Sequence, residues 1–129
     1  MALDMVRRPW DFDYLVAENM FADILSDIGG GIMGGMGMAA CAEIGDHHAL
    51  FQPAHGTAPD IAGADKANPT AMFLSAAMML EWLGNRQELE PCLRAARRLE
   101  TAIETGFSKG AIQPMEFGGP HGTAAITRA

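Results

Sequence analysis

Apolar residues recur at helical spacing in four stretches of this chain and form short solid runs in three others, with glycine and proline between them. Met1, Leu3, Met5 and Val6 predict the tail of an amphipathic helix over 1–8, stopped at Pro9 because proline disfavours helix in the residue before it. Tyr14-Leu15-Val16, bounded by Asp13 and Glu18, predicts a short buried strand. Phe21, Ile24, Leu25 and Ile28 fall at i, i+3, i+4 and i+7, which predicts a helix to about Ile28 with that face on the core. Six of the nine residues from Gly29 to Gly37 are glycine, and this run is expected to end the helix. Met38–Ile44 and Ala49–Gln52 predict two extended segments around the polar turn Gly45-Asp46-His47-His48. Asn68-Pro69-Thr70 predicts a helix start, with Asn68 capping and Pro69 in the first helical position. Pro69–Leu83 is apolar almost all round and is expected to be buried on most sides. Glu88–Thr105 follows, with Leu89, Leu93, Ala96, Leu99 and Ile103 as its apolar stripe and Gly106 as its stop. From Phe107 onward glycine and proline predict an irregular ending. The fold class is α/β, yet three short strands do not complete the sheet of a doubly wound domain.

Composition narrows the functional classes. The chain has 129 residues, 49% of them apolar, which suffices for one hydrophobic core. Its net charge of −7 leaves no broad cationic surface to displace counterions from nucleic acid, so nucleic-acid binding is not expected. Cys41 and Cys92 stand far apart and outside any CxxC spacing, which reads as two free thiols in a reducing compartment. The opening residues contain acids where a secretory signal needs an apolar stretch, and no window approaches the ~20 apolar residues of a membrane span. No membrane partner and a cytoplasmic location are therefore expected.

Two constellations carry candidate chemistry. Asp23 and Asp27 lie four residues apart on one helix face, where like charges repel by roughly 0.2–0.5 kcal/mol unless a cation lies between them. A hard divalent ion suits such a pair, though an isolated pair serves equally as two solvated helix carboxylates. The second is the loop FQPAHGTAPDIAG from Phe51 to Gly63. Gly29-x-Gly31-x-x-Gly34 matches the dinucleotide fingerprint in letters only, since it follows a helix instead of a strand and lacks the downstream acid. His47 and His48 read as solvated turn residues.

ENMFADILSD, the glycine run, AEIGDHHALFQPAHGTAPDIAG and ANPTAMFLSAAMML together resemble the isocitrate/isopropylmalate dehydrogenase family of β-decarboxylating dehydrogenases. The resemblance implies the C-terminal part of that fold, with residues 1–33 at the end of the subunit-contacting domain and 34–129 in the large coenzyme domain. It also implies NAD-dependent oxidative decarboxylation of a malate-like hydroxy acid. In this reading 3-isopropylmalate, and so leucine biosynthesis, is favoured; tartrate/malate or isocitrate dehydrogenase, or a non-catalytic nucleotide-binding remnant, is the alternative. Asp23 and Asp27 would be two of the family's three metal aspartates, holding Mg²⁺ or Mn²⁺.

The family's coenzyme loop corresponds to His55, Gly56, Ala58, Asp60 and Ile61, followed by Asn68. Gly56 would let the backbone approach the coenzyme, and Asn68 offers a donor and an acceptor for an adenine edge. Asp60, an acceptor-only carboxylate, would take ribose hydroxyls and repel a 2′-phosphate, which favours NAD. His55 on position alone is also compatible with a turn histidine satisfied by backbone. No catalytic residue is assigned: the family's substrate arginines, catalytic tyrosine and catalytic lysine lie in a region with no counterpart here, and Tyr14, Lys66 and Lys109 fall outside those motifs. Met1 would then match an internal methionine, and the family's last helix would be missing after Ala129. Glu116-Phe117-Gly118-Gly119 stands where the family usually has Asp-Leu-Gly-Gly. Family members are homodimers, so a lone copy of this piece is expected to expose apolar helix faces, including much of Pro69–Leu83, and to self-associate.

Overall fold

The computed structural model describes residues 1–129. Five helices and one hairpin run in the order α1 (Ala2–Arg7), α2 (Asn19–Ile32), β1 (Ala40–Ile44), β2 (Ala49–Pro53), α3 (Thr70–Gln87), α4 (Glu90–Ser108) and α5 (Thr123–Arg128). Single 3₁₀ turns at Pro9–Asp11, Met36–Met38, Pro59–Ile61 and Met115–Phe117 join them. β1 and β2 pair antiparallel, with Ala40 opposite Pro53 and Ile44 opposite Ala49. α3 lies on this hairpin and against α4, while α1 packs on α2.

The buried centre is built largely from small side chains. Ala71 and Ala77 are wholly inaccessible and Ala96 nearly so, with Ile103, Ile112 and Ile126 closing the far end. Small residues let α3 approach its neighbours closely, so dispersion contacts are dense although little apolar area is available. Phe51 of β2 meets the Trp82 ring of α3 at 6.0 Å between centroids, and the Arg86 guanidinium lies 5.1 Å from the Trp82 ring centroid while bonding the Asp46 carbonyl at 2.9 Å. These contacts fix the hairpin turn on α3. At the other end of the chain, the exposed Arg8 guanidinium, and after it the Met1 ammonium, hold the Asp4 carboxyl below its ordinary range.

Several expectations change. Tyr14-Leu15-Val16 forms no strand: the only sheet is the hairpin, and Tyr14 and Val16 are 92% and 99% exposed. A strand needs a neighbouring edge for its N–H and C=O groups, and this chain offers none there. The glycine run does not end α2 at Ile28, because the helix continues through Gly29–Gly31 to Ile32. Gly30 is buried where a Cβ would stand 2.9 Å from the Met36 sulfur, so packing fixes this glycine inside the helix. The chain leaves the helix only at Gly34 and Gly35, whose φ values of +116° and +123° few other residues adopt.

Phe21 and Ile24 are about half exposed, so the predicted inner face of α2 is not covered within this chain. α3 begins at Thr70, with Pro69 at the cap position. Its outer side shows Met72 and Met79, so burial is less complete than the all-round apolar pattern predicts. Gly106 lies within α4, packed under Ile112, and the turn comes at Gly110.

The ending is more regular than predicted. Backbone bonds from His121 N–H to the Gln113 carbonyl (3.0 Å) and from Met115 N–H to the His121 carbonyl (3.1 Å) close a loop over 113–121, and α5 follows it to Arg128. A short helix therefore stands in a stretch that the glycine and proline pattern predicts to be irregular. The Asp65 carboxylate accepts from Ala124 N–H at 2.8 Å and caps that helix.

Candidate functional site

β2 ends at Pro53, and Ala54 N–H still bonds across to the Ala39 carbonyl at 2.9 Å, so the hairpin pairing runs up to the start of the loop. The loop then turns at Ala58, whose φ of +43° is a left-handed conformation rare for a residue with a Cβ. Strain of about 1–2 kcal/mol is typical of such a position, and it persists only where surrounding structure holds it. Pro59 starts the 3₁₀ turn immediately after, so the loop presents a short, stiff rim.

His55, Gly56, Ala58, Ile61 and Asn68 line one cleft of about 1000 Å³. Asp60 is not on its lining; it lies exposed on the turn Pro59–Ile61 beside it. The same cleft is lined by Asp65 and Lys66, just before Asn68, and by two distant segments, Met36 and Gly37 after α2 and Met115 and Glu116 of the closing loop. The sequence reading did not place these in a site. Their contacts span up to 79 positions, and no spacing rule reaches that far.

Asn68 is held tightly. It is only 7% exposed, and its Oδ1 accepts from both the N–H and the hydroxyl of Thr70, at 3.2 and 2.7 Å. Its Nδ2 donates to Glu116 Oε2 at 3.0 Å and approaches the Met38 sulfur at 3.6 Å. The side-chain amide is thus spent inside the protein. Asn68 therefore bonds the first N–H of α3 from one position before the cap, not from the cap itself as expected, while its own backbone N–H and C=O bond to no other protein group. The ring of His55 is bonded through Nδ1 to the Gly56 carbonyl at 2.8 Å, so backbone fixes its orientation.

Asp23 and Asp27 lie exposed on α2, one turn apart and free of ion pairs; their offset along the axis is about 6 Å. Two free carboxylates are the right donors for a hard cation. Two do not complete a coordination sphere, and no group of three potential ligands is assembled in this chain. Asp23 and Asp27 alone therefore do not make a cation site.

Comparison with known proteins matches the chain to a family. The family model described as isocitrate/isopropylmalate dehydrogenase covers residues 1–128. Among relatives, isocitrate/homoisocitrate dehydrogenase of Thermus thermophilus is 46% identical over 99% of this chain, and 3-isopropylmalate dehydrogenase of Chlorobaculum tepidum is 50% identical over 86%. The structure of isocitrate dehydrogenase from Methylococcus capsulatus superposes with a TM-score of 0.86 at 44% identity over 98% of the chain. The chain covers 36%, 31% and 36% of these proteins respectively, about a third of each. Sequence and backbone together establish that this chain belongs to the isocitrate/isopropylmalate dehydrogenase family and carries about a third of that fold.

Proposed function

We propose that this chain is the coenzyme-reading and part of the metal-holding region of an NAD-dependent β-decarboxylating dehydrogenase, with 3-isopropylmalate as the favoured substrate and leucine biosynthesis as its setting. The observation that carries this reading is the convergence of His55, Gly56, Ala58, Ile61 and Asn68 on one cleft. The unpartnered N–H and C=O of Asn68 offer a neighbouring donor and acceptor, which is the pattern an adenine edge requires. The backbone of Asn68, and not its side chain, would then supply the donor–acceptor pair. Asp60 stands exposed beside the cleft, where it would accept from ribose hydroxyls. The cleft lining holds Asp65 and Glu116 against the single cation Lys66, a balance that disfavours an added phosphate dianion.

Asp23 and Asp27 would contribute two ligands to Mg²⁺ or Mn²⁺, which when bound polarises the substrate hydroxyl and stabilises the charge left by carbon dioxide loss. The side chains here bind and orient; none stands where a general acid or base can be assigned. Turnover therefore requires residues beyond these 129. We assign residues 1–33 to the subunit-contacting domain and 34–129 to the coenzyme domain of a homodimer, in a cytoplasmic setting that keeps Cys41 and Cys92 reduced. Both cysteines are free in the structure.

A second reading, isocitrate as substrate, is favoured by the 46% identity to the isocitrate/homoisocitrate relative across nearly the whole chain. The test is NADH formation by the gene's longest in-frame product, with 3-isopropylmalate, isocitrate and tartrate offered in turn. Metal-dependent turnover of 3-isopropylmalate is expected. Preferred turnover of isocitrate replaces the substrate assignment, and an extended product that oxidises none of them overturns the enzymatic reading.

A further inference from the structure

We propose that Glu116 is the positioning residue of the coenzyme cleft: its carboxylate ties the glycine turn after α2 to Asn68, and so decides which polar atoms of Asn68 face the ligand. This rests on the coenzyme reading above. One oxygen of Glu116 accepts from the Gly37 N–H at 3.1 Å, and the other accepts from Asn68 Nδ2 at 3.0 Å. The two bonds need two acceptor oxygens on one arm, which a carboxylate has and a carboxamide lacks. Because Nδ2 is committed to Glu116, Oδ1 is committed to Thr70, and only the backbone of Asn68 is left for a ligand.

The surroundings are shaped to this carboxylate. A Cβ on Gly37 would collide with Glu116 Oε2 and stand 2.8 Å from the Asn68 Cβ, and one on Gly35 would stand 2.7 Å from Glu116 Oε1. The turn thus folds around the carboxylate and leaves no room for another side chain. Glu116 itself is delivered by the loop over 113–121, which three backbone bonds between Gln113, Met115, Pro114 and their partners His121 and Gly119 hold shut. Glu116 joins segments that are 79 and 48 positions away in sequence, and α2, which carries Asp23 and Asp27, ends at the turn it grips.

An exchange of donor and acceptor tests the assignment. In Glu116→Gln the single carbonyl oxygen can serve Gly37 or Asn68 but not both. In Asn68→Asp two carboxylates face each other, although the Thr70 cap is kept. The double variant Asn68→Asp/Glu116→Gln restores complementarity, with the glutamine amide donating to the aspartate and its carbonyl accepting from Gly37. NAD affinity by calorimetry and hydrogen exchange of the Gly37 amide are measured on wild type, both single variants and the double.

Each single variant is expected to weaken NAD binding about tenfold and to speed Gly37 exchange, while the double returns both to within about twofold of wild type. A merely space-filling Glu116 gives no such recovery. Singles that match wild type, or a double no better than the weaker single, overturn the proposal. If wild type binds no NAD, the functional reading fails, and the exchange pattern at Gly37 still decides whether Glu116 holds the turn.

Discussion

At Gly56 a Cβ would meet nothing within 4 Å, so the folded chain itself gives no reason for glycine there. A coenzyme lying against the backbone, as proposed, would supply one. Gly56→Ala is therefore expected to change unfolding free energy by no more than about 0.5 kcal/mol while weakening NAD binding at least about tenfold. Thermal melts and calorimetry on the same variant check both halves, and an alanine variant that keeps NAD affinity contradicts the placement of coenzyme at this loop.

Asp23 and Asp27 allow a test of opposite sign. Without metal, Asp23→Asn or Asp27→Asn should stabilise α2 by roughly 0.2–0.5 kcal/mol by removing like-charge repulsion. The same substitutions should abolish any gain in stability from added Mn²⁺. An unchanged Mn²⁺ response in the double variant would show that these carboxylates are solvated surface residues. At this scale the sequence was most legible along one contiguous segment: His55, Gly56, Ala58 and Ile61 line one cleft. It was least legible at Asn68 and Glu116, because the fate of the Asn68 amide depends on a residue 48 positions away.

Among the elements, the hairpin and the pair α3–α4 were readable because their apolar spacing and turn residues agree with the packing they make. The misreadings come from packing that spacing rules do not register, either where the chain folds back on its own helix or where a remote residue reaches in. Gly30 and Gly106 are packing glycines under Met36 and Ile112, not helix stops, and α5 exists because Asp65 caps it from the far side of α3. The α3–α4 junction offers a direct test of element energetics. Glu88 takes the left-handed conformation at φ +54° while Leu89 N–H bonds to the Gly84 carbonyl at 2.9 Å, a position at which glycine is usual. Relieving about 1–2 kcal/mol of strain against a smaller gain in unfolded-chain entropy, Glu88→Gly should raise unfolding free energy by about 0.5–1 kcal/mol. Denaturant melts measure this, and a destabilised variant would show that the Glu88 side chain contributes more than its backbone strain removes.

Across the whole molecule, the exposed apolar surface is concentrated where the chain leaves α1 and α2 uncovered. Trp10, Tyr14 and Val16 are 76%, 92% and 99% exposed, and Met1, Leu3, Val6, Met20, Phe21 and Ile24 are each more than half exposed. So much uncovered apolar area next to a small core is the condition under which chains associate. The expected face on α3 contributes less, through Met72 and Met79. This chain purified alone should self-associate, as light scattering after gel filtration would show, and Val16→Glu with Trp10→Lys should reduce that association. A monodisperse wild-type monomer with cooperative unfolding would refute it. The α/β class and the family relationship were legible in the sequence; the incomplete sheet was legible too, because two strands and an orphaned third segment do not build one.

The claim on which the account turns is that the cleft below Asn68 takes an unphosphorylated dinucleotide. Side-by-side titration of the folded protein with NAD and NADP, for wild type and Asp60→Ala, tests it most directly. The account predicts that NAD binds at least about tenfold more tightly than NADP and that Asp60→Ala narrows the gap. Equal affinity for the two coenzymes, or no binding of either by a protein that unfolds cooperatively, would contradict it.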